Sequence, residues 1–516
     1  MNSSNDVRVF WGCFIALVTC AFGFVIRTQI IGDWATEFNL DETEKGRILA
    51  VGFWPFAFSI FLLSLFIDRV GYGVTAAFGF VCHLVSTYLL VTAKNVDMLY
   101  WGTLVFALSN GTVEAYINPA IASMYKQEKT KWLNILHAGW PGGIVLAGLL
   151  GIAMADLSWQ WKVGLTFLPT IVYGLLLVGT KFPVSERVVA GVTYREMLAD
   201  FGALGAFVAV YLISLTAFDL KLIDLDNLIG GGQTASPLAP FLSALAPAFV
   251  AAAAFGVFTG SLGRPIYFLL LLIMIPLATT ELGIDSWITE LMEPEMVPMN
   301  INPAWVLVYT AAIMTVLRFF AGPIVHRASP LGLLAMSALL AIFGLLFLSK
   351  AAGIMILLAA TLYALGKTFF WPTMLGVVAE RFPRGGAMTL NCIGGVGMLA
   401  LSIGGVFLGN IQDTRVDSAL AAYDQKHQTS LHATYVTQEK TSVFGKYAAL
   451  DMEKVNTASE EDAREIVQVQ ATAKKNALAT AAIFPCIMLV CYLGLILYFK
   501  SQGGYRAESL EAASSD

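Results

Sequence analysis

The chain has 516 residues, 57% of them apolar and only 13% charged, with a mean hydropathy of +0.71 and a formal net charge of −5. So few charges cannot cover that much oily surface, which excludes a soluble fold, and the apolar excess excludes disorder. There is no basic run, which argues against a nucleic-acid partner. Cys13, Cys20, Cys82, Cys392, Cys486 and Cys491 lie in apolar stretches without paired spacing and read as small hydrophobes, not as disulfides or metal ligands. The composition is that of a polytopic membrane protein.

A bilayer core requires about 20 mostly apolar residues per helix. In chain order, twelve segments meet that length, at about 9–31, 46–66, 74–93, 98–123, 134–154, 162–181, 266–283, 303–325, 331–349, 353–378, 386–409 and 477–499. Two more fall mid-chain, at about 201–218 and at 238–262, the latter broken by Pro240 and Pro247. The first segment lacks a small-residue cleavage site and is expected to be retained. With fourteen spans and an internal N-terminus, fourteen lysines and arginines fall inside and six on the short outer loops and helix ends. The stretches 219–226 and 284–300, on the outer side, are acidic. Both termini are therefore expected in the cytoplasm of a cell, with a bacterial inner membrane as the setting; twelve spans would give the same parity.

The chain repeats itself. Asp68-Arg69-Val-Gly71 after the second span answers His326-Arg327-Ala-Ser329; Asn118-Pro119 answers Trp371-Pro372; Leu133-Asn134 answers Leu390-Asn391, all at an offset of about 255 residues. Three matches in one order predict a duplicated six-helix unit. The predicted organisation is a bundle over 1–181, a central linker with two extra helices over 182–262, and second-bundle helices over 263–409. A polar extracytoplasmic loop follows over 410–476, then a final helix and cytoplasmic tail over 477–516. The stretch from Glu461 to Lys475 has the pattern of an exposed helix in what otherwise reads as a solvated linker.

These residues resemble the major facilitator superfamily, whose short loop after helix 2 has the form Gly-x-x-x-Asp-Arg-x-Gly. Asp68, Arg69 and Gly71 match it, and Ser64 replaces the first glycine. Glu114-Ala-Tyr-Ile-Asn118-Pro119, together with the glycine-rich stretches after Asn134 and after Trp371-Pro372, is similar to the fucose permease branch of proton-coupled sugar symporters. The resemblance implies an all-α fold of two pseudo-symmetric six-helix bundles, here with about fourteen spans. It also implies alternating access, a proton-linked glutamate at Glu114, and a gate at Asp68, Arg69, Gly71 and Arg327. Thr28 falls where that branch carries an aspartate, which leaves proton coupling open.

An ionisable side chain at bilayer depth is a functional candidate by default. Five stand out: Arg27, Glu114, Glu281, Arg318 and Lys367. Asn110, Glu114 and Asn118 share one helical face at i, i+4 and i+8. Lys367 and Glu114 each precede a matched proline by five residues, which predicts that they face each other as an ion pair across a shared cavity. Tyr363, Lys367 and Trp371 share a face, and aromatic faces cover the C–H face of a sugar ring. Asn134 and His137 are expected to line the cavity, as are Arg27 and Gln29; Arg27 would either bind an anion or snorkel to the interface. Arg318 is expected in the inner gate, Glu281 and Trp287 near the outer one, and His83 in packing. With five embedded charges the sum is +1, which makes organic anions or sugar acids the second substrate class after sugars. The chain carries no nucleophile or metal motif of a membrane enzyme and no phosphate loop. No cofactor is expected; the expected partners are a small solute, a proton and lipid, with the chain acting as a monomer. A transport-inactive sensor is the remaining alternative.

Overall fold

Backbone inside a bilayer must bond to itself. In the computed structural model, which describes residues 3–40, 42–223 and 238–510, the chain does this with helices apart from one short hairpin. Asp224 and Asp226, and the side chains of Trp287, Glu290 and Glu293, lie outside the described residues. Among the described residues, eleven helices are long and apolar enough to cross a membrane, or twelve if one bent pair is a single span. Val96–Met124 is one uninterrupted helix, started by the Asn95 side chain, which accepts the Met98 N–H at 2.9 Å.

Several predicted spans are each two helices: Glu42–Ala50 with Trp54–Val70, Lys129–Leu136 with Gly139–Ala153, Trp159–Gly164 with Phe167–Leu177, Ala304–Phe319 with Ala321–Arg327, and Met355–Lys367 with Phe370–Arg381. In every case a proline (Pro55, Pro141, Pro169, Pro323 or Pro372) sits in the first turn of the second piece. There its missing N–H costs that piece nothing, but the carbonyl four residues back loses its donor. The Ala304–Phe319 and Ala321–Arg327 pieces bend by 65°.

The mid-chain segments form Tyr194–Asp219 and Ala239–Thr259, which pack along each other, the first also against Gly386–His427. The first is started by a capping box between Thr193 and Glu196 and kinks at Gly202, where φ is +59°. The N–H groups freed there, on Ala203 and Leu204, donate to the carbonyls of Ser261 and Leu262 at 3.1 and 3.0 Å. A side chain at Gly202 would collide with the Gly263 backbone.

Residues 410–476 depart from the expected solvated loop. Gly386–His427 runs on for 42 residues, and beyond it Leu431–Tyr435, the antiparallel strands Gln438–Ser442 and Gly445–Ala449, and Met452–Asn456 lead into Glu460–Ala481. Val416, Leu420, Leu431, Tyr435, Ile466, Val469 and Ala473 give this cap its own core. The apolar residues recur at helical spacing within a polar stretch, so average composition hides them. Asp424 secures the turn by accepting from the Thr429 hydroxyl and from the N–H groups of Leu431 and His432. The hairpin tip docks on the extra helix pair: the Val443 N–H donates to Asp219 at 3.2 Å, and Phe444 packs on Phe241.

Asn5, beside Lys181, and Glu508, beside Arg381, lie on the face opposite the cap, and that face is closed. Lys129 donates to Glu186 at 2.6 Å and to the Ala379 carbonyl at 3.1 Å, and the Thr130 hydroxyl donates to Glu380 at 2.5 Å. Arg187 grips Asp68 at 2.5 Å. The C-terminal half depends on close helix approach: a Cβ on Gly366 would fall 2.4 Å from the Ala341 nitrogen, and one on Gly344 would fall 2.5 Å from the Tyr363 Cα. Gly366→Leu is therefore expected to cost about 1–3 kcal/mol by overpacking, read as a lower melting temperature in detergent; an unchanged melting temperature would contradict that packing.

Candidate functional site

The site grows out of the proline breaks. Pro372 leaves the Thr368 carbonyl without a donor, and Pro141 does the same to His137. Arg318 closes both: Nε donates to Thr368 at 2.7 Å and Nη1 to His137 at 2.8 Å. Its Nη2 meets Glu281 Oε1 at 2.6 Å. One guanidinium, 1% exposed, thus ties a carbonyl from each half to a carboxylate. Pro119 likewise frees the Ala115 carbonyl, which accepts from Asn391 of the other half at 2.9 Å.

Arg318 therefore sits at the central pocket instead of in a loop gate, and Glu281 is there too instead of at the far end of its helix. Glu281 lies in a wide turn, Thr279–Gly283, and its second oxygen accepts the Trp371 N–H at 2.9 Å. Four residues on is Asp285. The apolar run ends near 283, which places Asp285 in a loop by hydropathy, yet the helix continues and Asp285 is buried against Lys367. Lys367 also reaches Thr310 at 3.4 Å and lies 5.0 Å from the centre of the Tyr363 ring.

That pairing corrects the expected Glu114–Lys367 contact. Equal distance from matched prolines does not fix equal orientation, because the helix breaks before Pro372 and runs unbroken through Pro119. Glu114 instead accepts from Asn118 Nδ2 at 2.6 Å, while Asn118 Oδ1 accepts from His137 Nε2 at 2.9 Å. Among the described residues no cation pairs with Glu114. Counting Asp285, the embedded charges are Arg27, Arg318 and Lys367 against Glu114, Glu281 and Asp285, so the excess of +1 disappears. Two of each sign are matched; Arg27 and Glu114 are not.

Glu114, His137, Trp140, Glu281, Arg318, Trp371, Phe56 and Met398 line one pocket. Phe56, Trp140 and Met398 also line a second, with Arg27, Asn110 and Asp285. That pocket shares Phe24, Arg27 and Phe53 with a cavity of about 1000 Å³ under the cap, which Gln412, Lys440, Tyr447 and Lys474 help to wall. The three spaces share walls and lie in series from the cap side, past Arg27, to Glu114, the two inner ones holding only about 30 and 20 Å³.

Other expected residues lie elsewhere. Asn134 bonds the Thr130 carbonyl at 2.8 Å and the Thr373 hydroxyl at 3.2 Å, latching the halves instead of lining the pocket. The Tyr363 hydroxyl donates to the Thr280 carbonyl at 2.5 Å. Gln29 is exposed and packs on Gly151 of a neighbouring helix. Asn110 lines the path and bonds His83 at 3.0 Å, which in turn meets Tyr173 at 2.9 Å. In the closed face, Asp68 pairs with Arg187, Arg69 lies over the Tyr194 ring at 4.8 Å, and Gly71 ends its helix with φ +89°. Arg327 is exposed, and its neighbour His326 meets Glu128 instead, at 3.1 Å.

Two helical halves enclose these three spaces, with a wide cavity under the cap and a face latched by ion pairs opposite it, which is the architecture of a membrane transporter. The family model of the Major Facilitator Superfamily matches residues 12–409, and the chain belongs to that superfamily, whose members are transporters and not enzymes. Among solved structures, the fold is similar to that of the human organic anion transporter MFSD10 (TM-score 0.59, 11% identity, 95% of this chain and 100% of that one). It is equally similar to the proton:xylose symporter XylE (TM-score 0.59, 12% identity, 95% of each chain). A curated relative, the TsgA homolog of Buchnera aphidicola subsp. Schizaphis graminum, is 23% identical over 190 residues, 36% of this chain and 49% of the relative, so the match spans about half the relative's length.

If Lys367 and Asp285 are a matched buried pair, Lys367→Met or Asp285→Leu alone strands a charge and costs about 3–5 kcal/mol, while the double variant recovers most of it. Glu114→Gln and Lys367→Met share no bond, so their losses add within about 0.5 kcal/mol. Thermal unfolding in detergent reads both; coupling in the second cycle but not the first would contradict the assignment.

Proposed function

We propose that this chain is a solute:proton symporter working by alternating access, carrying a small hydroxylated solute of sugar size, with Glu114 as the proton site. The observation that carries the reading is Glu114 itself: a buried carboxyl with no cation among the described residues, linked through Asn118 to His137, whose carbonyl is held by Arg318 of the other half. Closing the cap side would expel water from the path. An ionised, unpaired carboxylate resists that by several kcal/mol, whereas a protonated one does not. Proton binding on Glu114 would thus license closure, and the shared link to Arg318 ties that step to the contact between the halves. The same logic makes Thr28 tolerable, since one acid suffices for one proton.

The likeness of Glu114 to Pro119 to the fucose permease branch supports a sugar-like solute, and Trp140 and Trp371 supply aromatic faces for its ring. The lysine and arginine distribution supports cytoplasmic termini, which would make the cap-side cavity outward-facing; a bacterial inner membrane is the proposed setting. The chain would work as a monomer, since each expected function lies within one pair of bundles.

The test is transport in proteoliposomes, with a panel of labelled pentoses, hexoses and sugar acids. Glu114→Gln is expected to abolish accumulation driven by a pH gradient while sparing exchange of internal for external solute, because binding and reorientation survive when the carboxyl is permanently neutral. Undiminished accumulation in Glu114→Gln would overturn the proton assignment, and a complete lack of flux in the unmodified protein would favour a sensor.

A further inference from the structure

We propose that Arg27 is the docking point for an anionic group, so that the solute is a polyhydroxylated carboxylate such as a sugar acid. This rests on the transport reading above and narrows its substrate class. Arg27 lies in the first helix, 5% exposed, and its Nε is buried without an acceptor. Among the described residues it makes no hydrogen bond and no ion pair. Its neighbours are the Phe24 ring, 5.9 Å from the guanidinium carbon, and Gly52, where a Cβ would fall 2.4 Å from Nη2. A guanidinium presents five N–H donors, and an N–H buried without an acceptor costs the full desolvation of that group, which a ligand reaching Arg27 through the cavity would recover. Snorkelling does not explain it, because the head group is buried and does not reach the interface.

The acids along the path are otherwise engaged. Glu281 holds Arg318, Asp285 holds Lys367, Asp413 meets Lys440 at 2.9 Å and Asp219 accepts the Val443 N–H. Glu114 lines the deeper pocket beyond Arg27. Arg27 borders both the wide cavity and the narrower pocket next to it. A planar carboxylate matches the guanidinium fork through two parallel hydrogen bonds. Around it, Phe24 and Trp140, with ring centres 6.1 Å apart, offer faces to C–H groups, and Asn110, Thr28 and Ser286 offer bonds to hydroxyls.

The experiment follows internal pH in proteoliposomes after adding matched pairs: D-glucose and D-glucuronate, D-galactose and D-galacturonate. The acids are expected to drive proton entry and the neutral sugars are not. Arg27→Gln is expected to raise the apparent KM for the acid about tenfold or more, with Arg27→Lys in between. Because Arg27→Gln removes an unmatched buried charge, it is also expected to raise the melting temperature of the unliganded protein, and D-glucuronate is expected to stabilise only proteins that retain a cation at 27. Proton entry with the neutral sugars but not with the acids would overturn the anion site and leave symport standing. Proton entry with none of them, or acid transport unaffected by Arg27→Gln, would also overturn the site, the former taking the symport reading with it.

Discussion

Among the described residues three arginines are buried; Arg187 is matched by Asp68 and Arg318 by Glu281, and Arg27 is not matched. Arg318 spends its donors on two proline-freed carbonyls and a carboxylate; Arg27, which lines the cap-side cavity, has its Nε buried without an acceptor and makes no hydrogen bond among the described residues. In a low-dielectric interior that difference separates a structural clamp from a binding group, because a charge left unmatched destabilises the state that contains it. The same test divides the acids: Glu281 and Asp285 are neutralised in place, Glu114 is not. What remains is one cation and one anion on a single path. In the proposed reading each is neutralised from outside, Arg27 by a bound anion and Glu114 by a proton, and the closed carrier would be cheapest when both are present.

Proline does much of the construction. Pro119, Pro141 and Pro372 each free the backbone carbonyl four residues back, at membrane depth, where it needs a protein donor. The donors come from across the molecule: Arg318 to His137, Asn391 to Ala115. Local helix defects thereby become contacts between halves, which is what a carrier that moves its halves against each other requires. The cap and the extra helix pair join the C-terminal half through Gly386–His427 and the Val443–Asp219 bond, so they roof the path from one side.

Much of the fold was legible because bilayer length and hydropathy leave few alternatives, and the Asp68-Arg69-Val-Gly71 repeat revealed the duplication. The site was legible in part. Arg27, Glu114, His137 and Trp371 stand out as polar or aromatic groups in oil, and all line the path. Asp285 escaped because it follows the end of an apolar run, where an acid reads as solvated; its i+4 spacing from Glu281 was the available signal. The facing of Glu114 and Lys367 was misread because sequence offset measures position along a helix, and a proline break alters the rotation about it. The cap escaped because its apolar positions are diluted by charge.

The central claim is that a monoanion on Arg27 and a proton on Glu114 cancel. It is tested most directly by recording current across proteoliposomes while D-glucuronate is added under a pH gradient. Uptake without sustained current, and a rate indifferent to an imposed membrane potential, is the expected result. A sustained current carrying net positive charge inward with the solute would mean that the solute leaves Arg27 uncompensated, and would contradict the account.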